Sequence, residues 1–395
     1  MPIEPATRMA HIGQETAFEV LVRARALEAQ GRSVVHLEIG EPDFDTPSHI
    51  IRAGQQALEE GHTHYGPGAG TPELRQAVAG YLQRWRGLDV DPKNVVITPG
   101  GKPVMFFAIM ALVNPGDEVL YPDPGFPIYE SMVRFVGASP VPMPLREERQ
   151  FRFDPDEFRS LVSDRTRLII INSPHNPTGG VLTRSDLETI ADVARARDIP
   201  VLSDEIYGRI LYSGEHVSIA SLPGMLERTI ILDGWSKTWA MTGWRLGFGV
   251  FPAELIPHVE RLISNSVSCT ASFSQHAAIA ALEGTQEPVD AMVDEFRRRR
   301  ALIVDGLNAL PGVRCLEPDG AFYAFPNITA TGFSSRELAD RLLQEAGVAC
   351  LAGTAFGTYG EGYLRFSYAN SMDNIRLALE RIGALLASGQ AVAQL

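Results

Sequence analysis

The stretch from Arg167 to Tyr207, RLIIINSPHNPTGGVLTRSDLETIADVARARDIPVLSDEIY, decides the fold. Arg167–Asn172 is a continuous β-branched run, the pattern of a strand buried on both faces. A loop dense in Pro, Asn and Gly follows. Thr183-Arg-Ser-Asp186 then resembles a capping box, which opens a helix. Pro200–Ser203 is a second apolar run. Strand, crossover helix and strand in this order form a βαβ unit, so the two strands pair in parallel with the helix laid over one face.

The same alternation extends outward from about residue 70 to 285. Further strands are predicted at Asn94–Thr98, Glu118–Tyr121, Thr229–Leu232 and Leu246–Val250. Thr71-Pro72-Glu73 and Asp154-Pro155 mark helix starts, each with a cap residue before proline. The fold class is therefore α/β, a mainly parallel sheet covered by helices on both faces. Past the charged run Arg297–Arg300 the texture changes. Gly320–Asn327 and Tyr363–Tyr368 read as strands of a smaller α+β unit, closed by a helix near Asn374–Leu386. The arginine run is read as the solvated side of its helix rather than a phosphate patch, because a helix carrying EFRRRRALIVDGL must expose one face. The expected division is residues 46–290 as the large domain and 291–395 as the small one, with 1–45 contributing to the small domain.

Composition narrows the function. Among 395 residues, 35 Lys and Arg stand against 48 Asp and Glu, a formal net charge of −13, which argues against a general binder of nucleic acid or anionic membrane. The start of the chain lacks a basic segment followed by an apolar core, and the longest apolar run, Val104–Val113, is too short to cross a bilayer. Cys269, Cys315 and Cys350 form no CxxC pair, which disfavours a structural metal site and suits a reducing compartment. They are expected to be buried, small apolar residues, and the chain is expected in the cytoplasm.

Ligands of open α/β sheets gather at the carboxyl ends of the strands, and the polar residues here do the same. In Leu232-Asp-Gly-Trp-Ser-Lys237-Thr-Trp-Ala-Met-Thr-Gly-Trp-Arg245 a lone lysine follows a buried strand among three tryptophans. Desolvation there favours the neutral, nucleophilic amine that Schiff-base chemistry needs. Arg245 offers a guanidinium to a phosphate. Thr98-Pro-Gly100-Gly101-Lys102 links a strand to a helix start, a place where backbone amides can cradle an anion. Asp204 ends a strand, where a carboxylate can hold a pyridine nitrogen protonated. It could equally be a helix cap, and Tyr207 a packing aromatic. Asn176 could donate to a phenolate-like oxygen or simply serve its turn.

These segments resemble the class I aminotransferases of fold type I, in particular the aspartate aminotransferase-like group. LEIGEPDFDTP, HYGPGAGTPELR, NSPHNPTGG, SDEIY, SKTWAMTGWRLG and LRFSYA occur in the family's order along nearly the whole chain. The resemblance implies a seven-stranded, mainly parallel sheet, pyridoxal 5′-phosphate as cofactor, no metal, and a homodimer. It implies that Lys237 is the Schiff-base lysine, Asp204 the partner of the pyridinium nitrogen, and Asn176 and Tyr207 the donors to the ring hydroxyl. Phe126 matches the stacking aromatic, Gly100, Gly101, Lys102, Ser236 and Arg245 the phosphate positions, and Tyr65 the tyrosine sent into the neighbouring subunit's site. Arg365 matches the clamp on the substrate α-carboxylate, with Gly40 and Asn176 beside it. His175 and Phe126 depart from the more usual asparagine and tyrosine or tryptophan.

The implied reaction moves the α-amino group of an L-amino acid to a 2-oxo acid by ping-pong exchange. Lys102 resembles a position that binds a distal carboxylate in some relatives, which favours aspartate or glutamate, whereas Phe18 and Glu19 look less welcoming to an acidic side chain. Neutral or aromatic donors are the alternative, and a β-lyase could share the scaffold. A transcription-regulator role is disfavoured because no basic helix-turn-helix precedes the motifs.

Overall fold

The structure is a computed structural model that describes residues 3–13 and 15–393, the side chains of 388–393 excepted. In chain order the strands of its first part are β1 (Val35–His36), β2 (Val95–Thr98), β3 (Glu118–Asp123), β4 (Ser139–Pro144), β5 (Thr166–Asn172), β6 (Val201–Asp204), β7 (Thr229–Gly234) and β8 (Gly247–Val250). All but β1 form one seven-stranded sheet in the order β2-β8-β7-β6-β5-β3-β4. β8 runs antiparallel to both of its neighbours, and the remaining pairs are parallel. The six strands predicted here are present. β4 was not predicted, because its sequence, SPVPMP, carries three prolines. It can exist only because it lies at the sheet edge, where one side needs no ladder donors.

The central strands are sandwiched. In β5, Leu168 and Ile170 join the core formed with helices Lys102–Leu112 and Ile128–Phe135, while Ile169 and Ile171 join the core beneath helix Arg184–Arg197. Successive side chains point to opposite faces of a strand, so a run that is apolar at every position needs a helix layer on each side. Truncating any of these fully buried aliphatics to alanine costs about 2–5 kcal/mol. The three expected helix starts are capped as read. Thr71 accepts from the Leu74 amide, Asp154 from Asp156 and Glu157, and Thr183 forms the reciprocal box with Asp186.

The remaining strands, β9 (Tyr323–Ala324), β10 (Val348–Ala349), β11 (Leu351–Ala352) and β12 (Leu364–Ser367), belong to the C-terminal part. β9, β12 and β11 form an antiparallel sheet, and β10 pairs in parallel with β1, with Val35 opposite Val348. Helices Glu287–Asn308 and Met372–Ala393 share one core, with Ile303, Val304 and Leu307 joining Ile375, Ala378 and Ile382.

Two expectations change on inspection. Cys315 and Cys350 are buried, but Cys269 is partly exposed. Only half of the arginine run faces water: Arg297 and Arg298 pair with Asp294 and Glu295, whereas Arg299 and Arg300 turn inward. Arg299 is ion-paired with Asp43 at 2.6 Å and packs against Phe44, and Arg300 is paired with Glu317 at 2.8 Å over the Tyr212 ring. These pairings tie the long helix to its surroundings and leave no arginine of the run as a free anion site.

Candidate active site

The carboxyl ends of β5, β6 and β7 lie side by side, with Asn172 opposite Asp204 and Asp204 opposite Leu232. A cavity of about 500 Å³ opens there. Its wall brings together Gly40, Gly101, Lys102, Phe126, Asn176, Asp204, Tyr207, Ser236, Lys237, Arg245 and Arg365, residues spread over more than three hundred positions of sequence. Gly100 adjoins this wall through Arg245. Tyr65 does not face the cavity of its own chain, and it is 89% exposed.

Lys237 lies in the single helical turn Trp235–Thr238, directly after β7. Trp235 and Trp239 on either side of it are buried, and the Trp235 indole donates to the Ala278 carbonyl at 3.1 Å. Anchoring the tryptophans on the core side turns Lys237 toward the cavity, where its amine donates to the Gly40 carbonyl. Burial pushes the Lys237 ammonium down to about 8, partly offset by the Glu41 and Glu15 carboxylates. A lysine in this state is more readily deprotonated than a surface one.

Asp204 lies at the cavity floor. Tyr129 Oη donates to Asp204 Oδ2 at 2.6 Å, and the Ile206 amide donates to Oδ1 at 3.2 Å. Burial raises the Asp204 carboxyl to about 6, while both hydrogen bonds oppose the rise. Asn172 donates to the Asp204 carbonyl and accepts from the Asn176 amide at 2.9 Å, fixing the turn that carries Asn176. Tyr207 and Tyr323 share a hydroxyl–hydroxyl hydrogen bond of 2.7 Å, and burial holds the Tyr207 phenol well above its ordinary range, so it remains protonated.

Arg365 projects from β12 into the same space and is almost wholly buried. It donates to Asn176 Oδ1 at 3.1 Å and to the Glu38 carbonyl, and it packs against the Tyr323 and Phe356 rings. Its Nε is buried without a hydrogen-bond partner. Burial lowers its proton affinity from the usual arginine value, yet among the described residues no carboxylate side chain is bonded to it. A buried guanidinium with donor capacity to spare is built to receive an anion.

A second anion cradle lies at the start of helix Lys102–Leu112. Gly100 has φ +91°, and a Cβ there would come within 2.2 Å of Arg245 Nη2. Gly247, at the start of β8, packs its α-carbon against the Gly100 carbonyl group so closely that a Cβ would lie 2.4 Å from it. The antiparallel pairing of β2 with β8 thus sets the glycine loop against Arg245 and beside Ser236. Lys102 starts the helix, but its ammonium is turned away to Glu15 at 2.6 Å and lies 5.6 Å from the centre of the Phe126 ring.

Several lining residues escaped sequence reasoning: Glu15, Glu41, Tyr129, Thr242 and Tyr323. Nothing in the sequence around Tyr129 or Tyr323 marks their hydroxyls as functional; only tertiary contact gives them partners. His175, singled out as a departure, is buried outside the wall and bonded to Thr178 at 2.8 Å; burial lowers it to about 3, so it is a neutral turn residue.

A cavity at the strand ends of a mainly parallel sheet, lined by an enclosed lysine, a buried carboxylate and a buried arginine, defines the class: the chain belongs to the aminotransferase class I and II family, whose model matches residues 32–382. It is an aminotransferase of fold type I. Among its relatives, an aspartate aminotransferase of Pyrococcus horikoshii is 43% identical, covering 95% of this chain and 96% of its own length. Aromatic-amino-acid aminotransferase 2 of Thermococcus litoralis is 44% identical, covering 91% and 93%. The solved structure of Thermus thermophilus aspartate aminotransferase with maleate superposes with a TM-score of 0.92 at 38% identity, covering 97% of this chain and all of that one. Among the described residues, no helix is long and apolar enough to cross a membrane.

Proposed function

We propose that this enzyme transfers the α-amino group of an L-amino acid to a 2-oxo acid with pyridoxal 5′-phosphate as cofactor, and that acidic amino acids are among its donors. The cavity suits that cofactor. The glycine cradle that a single Cβ would fill faces Arg245, and Asp204, Lys237 and Arg365 line the same cavity. Gly100, Gly101, Ser236, Arg245 and the amide of Lys102 would hold the phosphate, and Phe126 would cover the ring. Asp204 would keep a proton on the ring nitrogen, while Tyr207 and Asn176 would donate to the ring oxygen. When bound, the cofactor supplies an electron-withdrawing ring that delocalises the electron pair left at the substrate Cα.

The chain's own groups do the rest. Arg365 and Asn176 orient the substrate through its α-carboxylate, and a positioned pair of donors turns a collision into a fixed geometry. Lys237 would hold the cofactor through its amine. The same amine would move the proton at the substrate Cα, a role suited to an amine held near 8 rather than 10.5. Asp204, raised by burial only to about 6, stays mainly ionised at neutral pH. Relatives named for aspartate and for aromatic amino acids match this chain equally well, which supports acidic donors alongside large neutral ones. Tyr65, exposed and turned from its own cavity, fits a homodimer in which each subunit completes the other's site. The unpaired cysteines suit the cytoplasm.

The observation that carries the reading is one cavity uniting an enclosed Lys237 amine, a buried Asp204 and a buried Arg365 with a vacant donor. The test is to add single amino acids to the purified enzyme without any oxo acid and follow its visible absorption. The cofactor band should move to shorter wavelength with release of one oxo acid per active site. The Lys237→Ala variant should lose turnover by at least about 10⁴-fold. Substantial turnover by that variant, or pyruvate and ammonia as products, would refute the assignment.

A further inference from the structure

Beyond the α-carboxylate clamp, the phosphate cradle and Lys237, the described wall of the cavity holds one further cationic side chain, Lys102, and it is already occupied. Glu15 Oε2 lies 2.6 Å from Lys102 Nζ. Glu15 comes just before helix Thr16–Glu28, at the N-cap position, yet its side chain makes no capping hydrogen bond. Glutamate is a poor cap, and here its carboxylate reaches a lysine 87 positions away instead. The pair stands at the mouth of the cavity between the Phe126 ring and Phe18, whose side chain is 57% exposed.

The remaining charges of the wall are committed elsewhere. Glu41 accepts from Thr242, Arg245 donates to the Thr242 carbonyl at 2.8 Å, and Asp204 is held by Tyr129. Burial is the largest influence on the proton affinities of Lys237, Tyr323 and Arg365, and at all three the Glu15 carboxylate acts upward. Its field therefore extends across the place where a substrate would lie.

We propose that Glu15 is a specificity-determining residue: a resident carboxylate that neutralises Lys102 when the substrate side chain is uncharged, and that a substrate's distal carboxylate must displace. This rests on the transamination reading above. A neutral side chain meets Phe18, Phe126 and an ion pair with no net charge. An acidic one must exchange one carboxylate for another on Lys102 and leave Glu15 nearby as a like charge. Both kinds of substrate can bind, but Glu15 tilts the site toward the neutral kind. Exposed pairs of this sort are weak, so the exchange is feasible.

The test uses the cofactor-loaded enzyme and the variants Glu15→Gln, Lys102→Gln and Glu15→Gln/Lys102→Gln. Two quantities are measured: the ratio of kcat/KM for aspartate to that for leucine in the single-donor half-reaction, and the Kd of maleate. In Glu15→Gln the ratio should rise about three- to tenfold and maleate should bind tighter by a similar factor. In the Lys102→Gln background the same change at position 15 should do neither. An unchanged or falling ratio in Glu15→Gln, or an equal rise with Lys102 absent, overturns the proposal. Maleate binding decides the matter even if no donor is converted, an outcome that would instead sink the transamination reading.

Discussion

At the scale of single residues, the site depends on positions where a side chain is forbidden. A Cβ on Gly40 would lie 2.1 Å from Tyr323 Oη, and the Gly40 carbonyl is the acceptor for Lys237. Gly40→Ala must therefore push Tyr323 off its 2.7 Å bond to Tyr207 or shift the backbone that holds the lysine. We expect kcat/KM to fall by about 10- to 100-fold, since small displacements at a reacting centre carry that cost. Steady-state kinetics beside a thermal melt will check this, and wild-type kcat/KM in the variant would show that the close approach is unimportant. Gly40 was legible in sequence only through resemblance, because nothing local to LEIGEPDF announces that a tyrosine nearly three hundred residues away presses on it.

At the scale of elements, the strand ends that carry the site are locked by a buried charge cluster at the C-terminus of helix Pro72–Arg86. Arg86 is ion-paired with Glu205 at 2.7 Å and with Asp233, and its side chain is almost fully buried. Glu205 also accepts from Ser203 and Ser218 and contacts His216 at 2.9 Å. This joins the residue after Asp204 to the end of β7, four residues before Lys237. Arg86→Leu removes the cation that both carboxylates share and leaves two like charges together in the interior. The expected loss is about 3–5 kcal/mol of folding stability, measured by urea denaturation. A loss below about 1 kcal/mol would mean that water or His216 compensates. Sequence reading had no access to the cluster: Arg86 looks like an ordinary charged residue near a helix end, where arginine is favourable in any case.

At the scale of the whole molecule, the N-terminal segment is held to the C-terminal part by β1 and β10, and one titrating group sits in that junction. His36 Nδ1 lies 2.8 Å from Glu38 Oε1, with Glu28 on its other nitrogen at 3.2 Å. The bond to Glu38 is the largest influence, and His36 is raised from 6.5 to about 9 despite burial. A folded-state value above the unfolded one means that the contribution to stability is fully present below about pH 6.5 and lost as pH rises to about 9. Thermal melts should show a stability decline across that window that is smaller in His36→Gln; equal slopes would remove His36 from the account. His36 is 29% exposed, so solvent screening keeps the effect modest. Glu38 follows in the same segment, and its carbonyl binds Arg365, so this junction also supports the substrate clamp.

The sequence by itself determined the sheet, its helix layers and the strand ends at which chemistry gathers. Periodicity, capping residues and uninterrupted apolar runs such as Leu168–Ile171 are local signals, and they report local structure directly. It determined the family as well, since its motifs keep their order along the chain. Tertiary structure alone decided which polar groups meet: that Tyr129 holds Asp204, that Tyr323 presses on Gly40, that Arg299 and Arg300 turn inward, and that Lys102 is taken by Glu15. It also decided that the proline-rich β4 is a strand, because an edge position excuses the missing donors. The physical reason is common to all of these. Hydrogen bonds and ion pairs act over a few ångströms in space, and the separations in sequence that they bridge here, from tens to hundreds of residues, leave no local pattern to read.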